Sequence, residues 1–420
     1  MAAYYIDPVG GSANAAGTSA AQPRLTHRDL NIQPGDTVLF KRGSLIRGAL
    51  GNVQGTEGNP VTYGAYGEGE NPAFSGSVDV SREENWEAVP GSPNVWRCLG
   101  PLTTQVCNFV FNNAFGGALK WEREALSARG DWWDSAFGQY EVRPEEHTVL
   151  LYCEENPAKA FQHIECVLVV HRNLAVMGHD IALENLTFKN NGVHGFSGTN
   201  GKNVIVRNCR FEFIGGCVWS KELRIRFGNG VEFWNSAENA VIEHCVFYDI
   251  FDSGVTHQGE HGKCLPAKNL VFRNNLFVRC GMAAYEQRDV LPLNAQFVGN
   301  VCADAGRGFS HYGTELPRSS EIWPQPMGHH IFLWRIDGPT ENARFALREN
   351  VFMDAPYGAA IYSIIDRAAE AQTDVDANTY CMRERTLLNR YFGEDFNDFA
   401  AYVRATGKDA HSLCADVSAQ

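Results

Sequence analysis

Three acidic residues in the middle of the chain have the types and surroundings for acid–base chemistry. Glu232 lies in "RFGNGVEFW" (Arg226–Trp234), Asp252 in "YDIFDSGVTHQG" and Glu286 in "AAYEQR". Each glutamate sits in a short apolar alternation that reads as a β-strand, with Val231 and Phe233 facing inward around Glu232. Crowded carboxylates hold one another's pKa values apart, so that one keeps a proton at neutral pH while another is ionised. That pairing is what cleavage of a glycosidic bond requires. An isolated outward acid on a strand is ordinarily just solvated, so the chemical reading depends on the three acids meeting.

The residues around them suit a sugar. The segment before Glu232, "CVWSKELRIRF", contributes Trp219, Lys221 and Arg226, and Asn229 follows. Trp234 comes next, then His257 and Gln258 after Asp252, and Arg288 after Glu286. His311 and Tyr312 follow Ser310. Trp219, Trp234 and Tyr312 can present flat apolar faces to sugar rings. Arg226 and His257 read as supports for the acids. A metal is not expected: His257, Glu260 and His261 do not make an HExxH pattern, and no second ligand group has matching spacing. His329 and His330 read as loop residues at the cleft rim. No phosphate-binding glycine loop or nucleophile elbow occurs.

What could bring these residues together is an internal repeat. Phe188, Phe211, Phe247, Phe277, Cys302 and Phe352 recur at intervals of 23, 36, 30, 25 and 50 residues, each in an apolar strand beside an Asn or similar turn and, mostly, ahead of a Gly. A repeat of 20–25 residues that is all strand predicts a parallel β-helix, whose coils stack about 4.8 Å apart because none can close a core alone. Counting nine residues on from Phe188, Phe247 and Phe277 reaches Ser197, Thr256 and Glu286. Matching "GVE" to "GVT" places Glu232 between the first two. The expected outward column is therefore Ser197, Glu232, Thr256, Glu286 and Ser310, with Val231, Val255 and Tyr285 pointing inward. Glu232 and Glu286 would be two rungs apart, about 9.6 Å. That separation suits inversion, whereas an Asp252–Glu pair about 5 Å apart would suit retention. Asn185, Asn208 and Asn274 share one position and read as structural turn residues.

The chain divides into an N-terminal cap with the first coils (1–84), an irregular aromatic-rich β insertion (85–165), the β-helix core carrying the cleft (166–375) and a helical C-terminal cap (376–420). Thr26–Leu30 reads as a short cap helix with Thr26 at its N-cap. Capping elements are needed because an open stack exposes strand edges. Of 420 residues 44% are hydrophobic, and the formal charge is −13. That balance argues against nucleic acid or an anionic membrane surface as partner, and no apolar run reaches the roughly 18 residues of a membrane helix. The start of the sequence does not read as a secretory leader, and twelve scattered cysteines read as free thiols, so a cytoplasmic location is expected, with secretion after removal of a leader as the alternative. Oligomeric state is not legible.

The segments "YYIDPVGG", "QPGDTVLFKRGSLIRGAL", "GDWWDS", "IGGCVW", "YDIFDSGVTHQG" and "YVRATGKDAHS" resemble bacterial right-handed parallel β-helix proteins that act on carbohydrates. The group is similar to β-helix glycoside hydrolases of the fucosidase/xylanase and β-xylosidase types, which use acids on the helix surface. The resemblance thus implies a glycosidase acting on a carbohydrate substrate without a cofactor. More distant relatives are polysaccharide lyases of the alginate lyase and chondroitinase B type. These imply an alternative, a lyase or uronate epimerase using Lys221, Arg226, Asn229 and Glu232, with Ca²⁺ as a possible requirement. A non-catalytic glycan-binding solenoid is the third reading.

Overall fold

The computed structural model describes residues 1–169, 172–312, 323, 327–383 and 387–415. Its strands stack in parallel into a right-handed β-helix. One face is a ten-stranded parallel sheet running from Leu45–Arg47 through Thr187–Asn191, Arg210–Ile214, Val246–Ile250 and Leu276–Val278 to Leu413–Cys414. The other two faces belong to one seventeen-stranded sheet, because the strands His194–Arg207 and Val231–Glu243 run through a corner without a break.

The repeat is legible in the core. Phe74, Phe188, Phe211, Phe247, Phe277, Cys302, Phe352 and Tyr380 stack in strand register, one per coil. The rings of Phe188, Phe211, Phe247 and Phe277 are parallel at centroid separations of 5.3, 5.0 and 4.7 Å. Apolar burial in this column, at about 25 cal/mol per Å² of surface removed from water, outweighs what any single coil could retain.

Asn185, Asn208 and Asn274 take left-handed backbone conformations at φ 53–56°, which asparagine tolerates better than most residues. The hydrogen-bonded ladder lies at the next position in the coil. There Cys209 and Cys245 give way to Asn275, Asn300, Asn350 and Asn378, each asparagine amide donating to the next at 3.0–3.2 Å. Every one of these four is buried, so the ladder satisfies backbone groups that water cannot reach.

Residues Ser77–Leu168 build two small sheets over their own core of Val80, Trp86, Phe109, Phe111, Trp132 and Leu151. The insertion is tied to the coils where Arg47 pairs with buried Glu165 at 2.8 Å. Thr26–Leu30 is a turn rather than a helix: the Thr26 hydroxyl accepts from Arg28 N at 3.2 Å, too local a bond to launch a helix. Among its described residues the C-terminal segment is helical only over Phe399–Thr406, capped by Asp398 and ended by Gly407 at φ 69°. Before it, Asn389–Tyr391 and Glu394–Phe396 form an antiparallel hairpin that continues the sheet. His329 and His330 open a buried strand, His329–Trp334, rather than lying in a rim loop. Burial pushes both imidazoles down to about 3.

Candidate active-site cleft

Strand register sets the outward column. Ser197 pairs with Glu232, Glu232 with Thr256, and Thr256 with Glu286. The next member is Phe332, not Ser310. Ser310 lies in a turn before the long segment that separates Cys302 from the strand at His329, so the eight-residue count from Cys302 stops short of the next coil's strand. Val231, Val255 and Tyr285 are fully buried in the main core, as the alternation requires.

A second outward column runs beside it, two residues on: Thr199, Trp234, Gln258, Arg288 and Trp334. Between these columns the side chains turn inward, and His257 is one of them. It is wholly buried, accepts a hydrogen bond at Nδ1 from the Gln287 amide at 2.8 Å, and is pushed down to about 4 by burial. It stands at Phe233's position in its coil, so it belongs to the interior and not to the cleft wall on which the sequence had placed it.

The cleft above the columns has a volume of about 960 Å³, at the upper end of the ~300–1,000 Å³ of small-ligand pockets. Glu232 and Asp252 both line it. Glu232 is 6% exposed and surrounded by donors. Ser197 Oγ donates to Oε2 at 2.7 Å, and Gln258 and Asn229 donate to Oε1 at 2.6 and 3.2 Å. His194 Nε2 lies 3.2 Å from Oε2. Two of these neighbours are oriented by bonds of their own. Asn229 Oδ1 accepts from Ser253 N at 3.0 Å, which leaves its NH₂ facing the carboxylate. His194 Nδ1 accepts from Asn229 N at 3.1 Å, which puts the ring proton of the neutral imidazole on Nε2, toward Glu232. Burial lowers the His194 pKa and keeps it neutral. The group such a cage fits is a carboxylate anion.

Asp252, at the entry to the next coil, accepts from Gly228 N at 3.0 Å. Its charge and that of Glu232 both act on His194, and both acids line the same cleft. Glu286 is different. It is 1% exposed and is not among the residues lining the cleft. Trp334 Nε1 donates to it at 2.8 Å and Ser253 Oγ at 3.1 Å. Burial pushes its pKa above the ordinary glutamate value, with the Asp252 charge adding to it against Arg288 and Trp334.

Of the other residues singled out from the sequence, Trp219, Asn229, Trp234, Gln258 and Arg288 line the cleft. Trp219 is 62% exposed on the hairpin Cys217–Ser220/Ile225–Phe227 and offers a free ring face. Lys221, at that hairpin's tip, lines a separate hollow with Trp121, Glu122, Glu222 and Arg224. Arg226 is buried beneath the hairpin. Its Nε donates to Gly216 O and an Nη to Cys107 O, both at 2.8 Å, and its guanidinium lies 4.4 Å from the Phe251 ring centre. It fastens the insertion to the coil, and burial draws its pKa down to about 10. His311 packs against Tyr357 with its ring tilted by 43°, and Tyr312 sits near Asp249 and Arg279; neither lines the cleft.

Several cleft residues were not anticipated, among them three that bear charge or hydrogen-bonding groups: Tyr140 reaches in from the insertion, Arg172 comes from the coil before Ser197, and His194 opens the strand that carries Ser197. His194 had a signal: in register it falls at Asn229 and Ser253, one polar residue per coil at the mouth of the strand. Tyr140 and Arg172 lie outside any repeated position. Among the described residues no group of three or more His, Cys, Asp or Glu side chains is arranged to hold a metal ion, and no helix is long and apolar enough to cross a membrane. All twelve cysteines are free and ten are buried.

Comparison with known proteins agrees on the architecture. Residues 172–315 match the family model for a right-handed β-helix region. No curated protein sequence matches the chain. Among solved structures, the chain is similar to a GH136 lacto-N-biosidase from Eubacterium ramulus, with TM-score 0.52 and 15% identity over 92% of this chain. It spans only 57% of that protein's length. It is also similar to XylC in complex with xylose (TM-score 0.51, 14% identity, 90% of this chain and 68% of the other). A third similar structure is described only as a glycoside hydrolase (TM-score 0.50, 11% identity, 93% of this chain and 95% of the other). At these identities the likeness establishes the parallel β-helix fold.

Proposed function

We propose that the protein is a glycoside hydrolase that cleaves a glycan or oligosaccharide in this cleft. The observation that carries the reading is that Glu232 and Asp252 line the same cleft, with Glu232 caged by donors, two of which are oriented by bonds of their own. In this reading Glu232 is the ionised partner, acting as base toward water or as nucleophile. Asp252 delivers the proton to the glycosidic oxygen, and His194 and Asn229 hold Glu232 in place. Trp219 and Tyr140 supply stacking faces at the lip. Glu286 stays outside the cleft, a buried acid whose pKa is raised, chiefly by burial. The reaction as written needs acid and base only. The sugar-processing names of the similar β-helix structures are in keeping with it, as are the free thiols with a reducing compartment.

A lyase would need a base placed as Lys221 was expected to be, and Lys221 opens onto another hollow. The test is a screen of aryl glycosides, neutral oligosaccharides and uronic polysaccharides, recording both new reducing ends and ultraviolet absorbance. Reducing ends without a chromophore, lost in Glu232→Gln and Asp252→Asn, are the expected result. An unsaturated, absorbing product, or turnover that survives both substitutions, overturns the reading.

A further inference from the structure

Two arginines line the cleft. The Arg172 guanidinium makes no hydrogen bond and no ion pair within 4.0 Å among the described residues, yet its charge acts on both His194 and Tyr140. Arg288 lies over the Trp334 ring at 5.3 Å. Its nearest carboxylate is Asp289 at 3.6 Å, which Arg335 also approaches at 3.4 Å, and its Nε is buried with no hydrogen-bond partner. Neither guanidinium is paired with the cleft's own acids, whose oxygens already have donors of their own. Arg172 is exposed with no ion-pair partner among the described residues, and Arg288 shares Asp289 with Arg335, so both guanidinium forks line the cleft with bonding capacity to spare.

Their spacing is informative. Arg172 precedes the strand Asn173–Val176, and Arg288 ends the strand Ala283–Arg288. Four rung steps separate these strands, roughly 19 Å at about 4.8 Å per rung, and the strand of Glu232 is the middle one. A cation thus stands on each side of the reacting position.

We propose that the cleft selects a glycan carrying anionic groups, carboxylate or sulfate ester, with Arg172 receiving one group and Arg288 another on the opposite side of the bond to be cleaved. Both groups present the planar or forked oxygens that a guanidinium binds through two hydrogen bonds. The inference rests on the hydrolase reading for its site, and names the class of substrate that site takes.

The experiment is calorimetric titration of the full chain carrying Glu232→Gln, so that ligand is not consumed, with Asp252→Asn as a second background. Three oligosaccharides of matched length are compared: neutral, uronate-bearing and sulfate-bearing. An anionic ligand is expected to bind about tenfold or more tighter than the neutral one at low salt, and the advantage shrinks as salt is added. Arg172→Gln removes most of the advantage and Arg172→Lys keeps part of it, with Arg288→Gln acting in the same direction. Comparing the two anionic arms shows which group is received. Equal or tighter binding of the neutral ligand, or a preference that survives both Arg172→Gln and Arg288→Gln, overturns the inference. Product analysis on the unsubstituted protein separates the two claims. Hydrolysis of neutral glycans with no anionic preference overturns this inference alone, and anionic binding without hydrolysis overturns the hydrolase reading alone.

Discussion

Glu232 and Glu286 are the same residue type in the same outward column, two rungs apart, and they live in different chemistry. Glu232 opens onto the cleft and is met by Ser197, Asn229 and Gln258. Glu286 is roofed by Trp334 and its pKa is raised, chiefly by burial. The position along a solenoid is set by the repeat. What the position can do is set by the residues one rung up and two along, where Gln258 leaves Glu232 reachable and Trp334 closes over Glu286.

Activity is where the two should diverge most. Glu232→Gln is expected to lower turnover by on the order of 10²–10⁴, the contribution of a positioned acid or base. Glu286→Gln should cost much less, under about tenfold by the same measure. Equal losses at the two positions would erase the distinction. Stability should diverge in sign. Glu232→Gln turns one accepting oxygen into a donor that faces the donors around it, and should cost about 1–3 kcal/mol in urea unfolding at neutral pH. Because the folded pKa of Glu286 is above its unfolded value, the folded state holds its proton more tightly. The native fold is therefore penalised progressively as pH rises above the unfolded value near 4.5. Glu286→Gln should accordingly be neutral below that pH and stabilising at pH 7. A Gln that destabilises at both pH values would show that Glu286 is no strained acid.

Smaller effects probe the roof and the lip. Trp334→Phe keeps the ring but removes the donor to Glu286, and should cost roughly 0.5–1.5 kcal/mol while raising the Glu286 pKa further, followed by carboxyl NMR. Trp219→Ala should leave unfolding unchanged and weaken substrate affinity by about 0.5–1.5 kcal/mol, a rise in KM rather than a fall in kcat.

The fold was readable because its signal is repeated. The Phe register placed Ser197, Thr256 and Glu286 in one column and the match of "GVE" to "GVT" added Glu232, and the structure has them there. The failures have local causes. His257 was taken for a wall residue although it stands two positions after Val255, so the same alternation that buries Val255 buries it. Ser310 was counted into the column because the strand that occupies that rung begins only at His329, beyond a long insertion whose length no repeat constrains. The buried asparagine ladder escaped notice because it begins midway, where Asn275 replaces the cysteines of earlier coils. Accessibility was illegible throughout: Trp334, which seals Glu286, is 48 residues away in sequence. Lys221 and Arg226, five residues apart in the same hairpin, have different surroundings, Arg226 being held by the insertion's Cys107 carbonyl.

The parallel register has one more implication. Since each coil advances the axis by about the same increment, inserting a whole coil between the strand of Gln258 and that of Arg288 would move Arg288 away from Glu232 by a fixed step of about 4.8 Å, leaving the donors around Glu232 in place. Substrate length in such a scaffold is adjustable in whole units, like notches on a ruler, and not by gradual reshaping of a pocket.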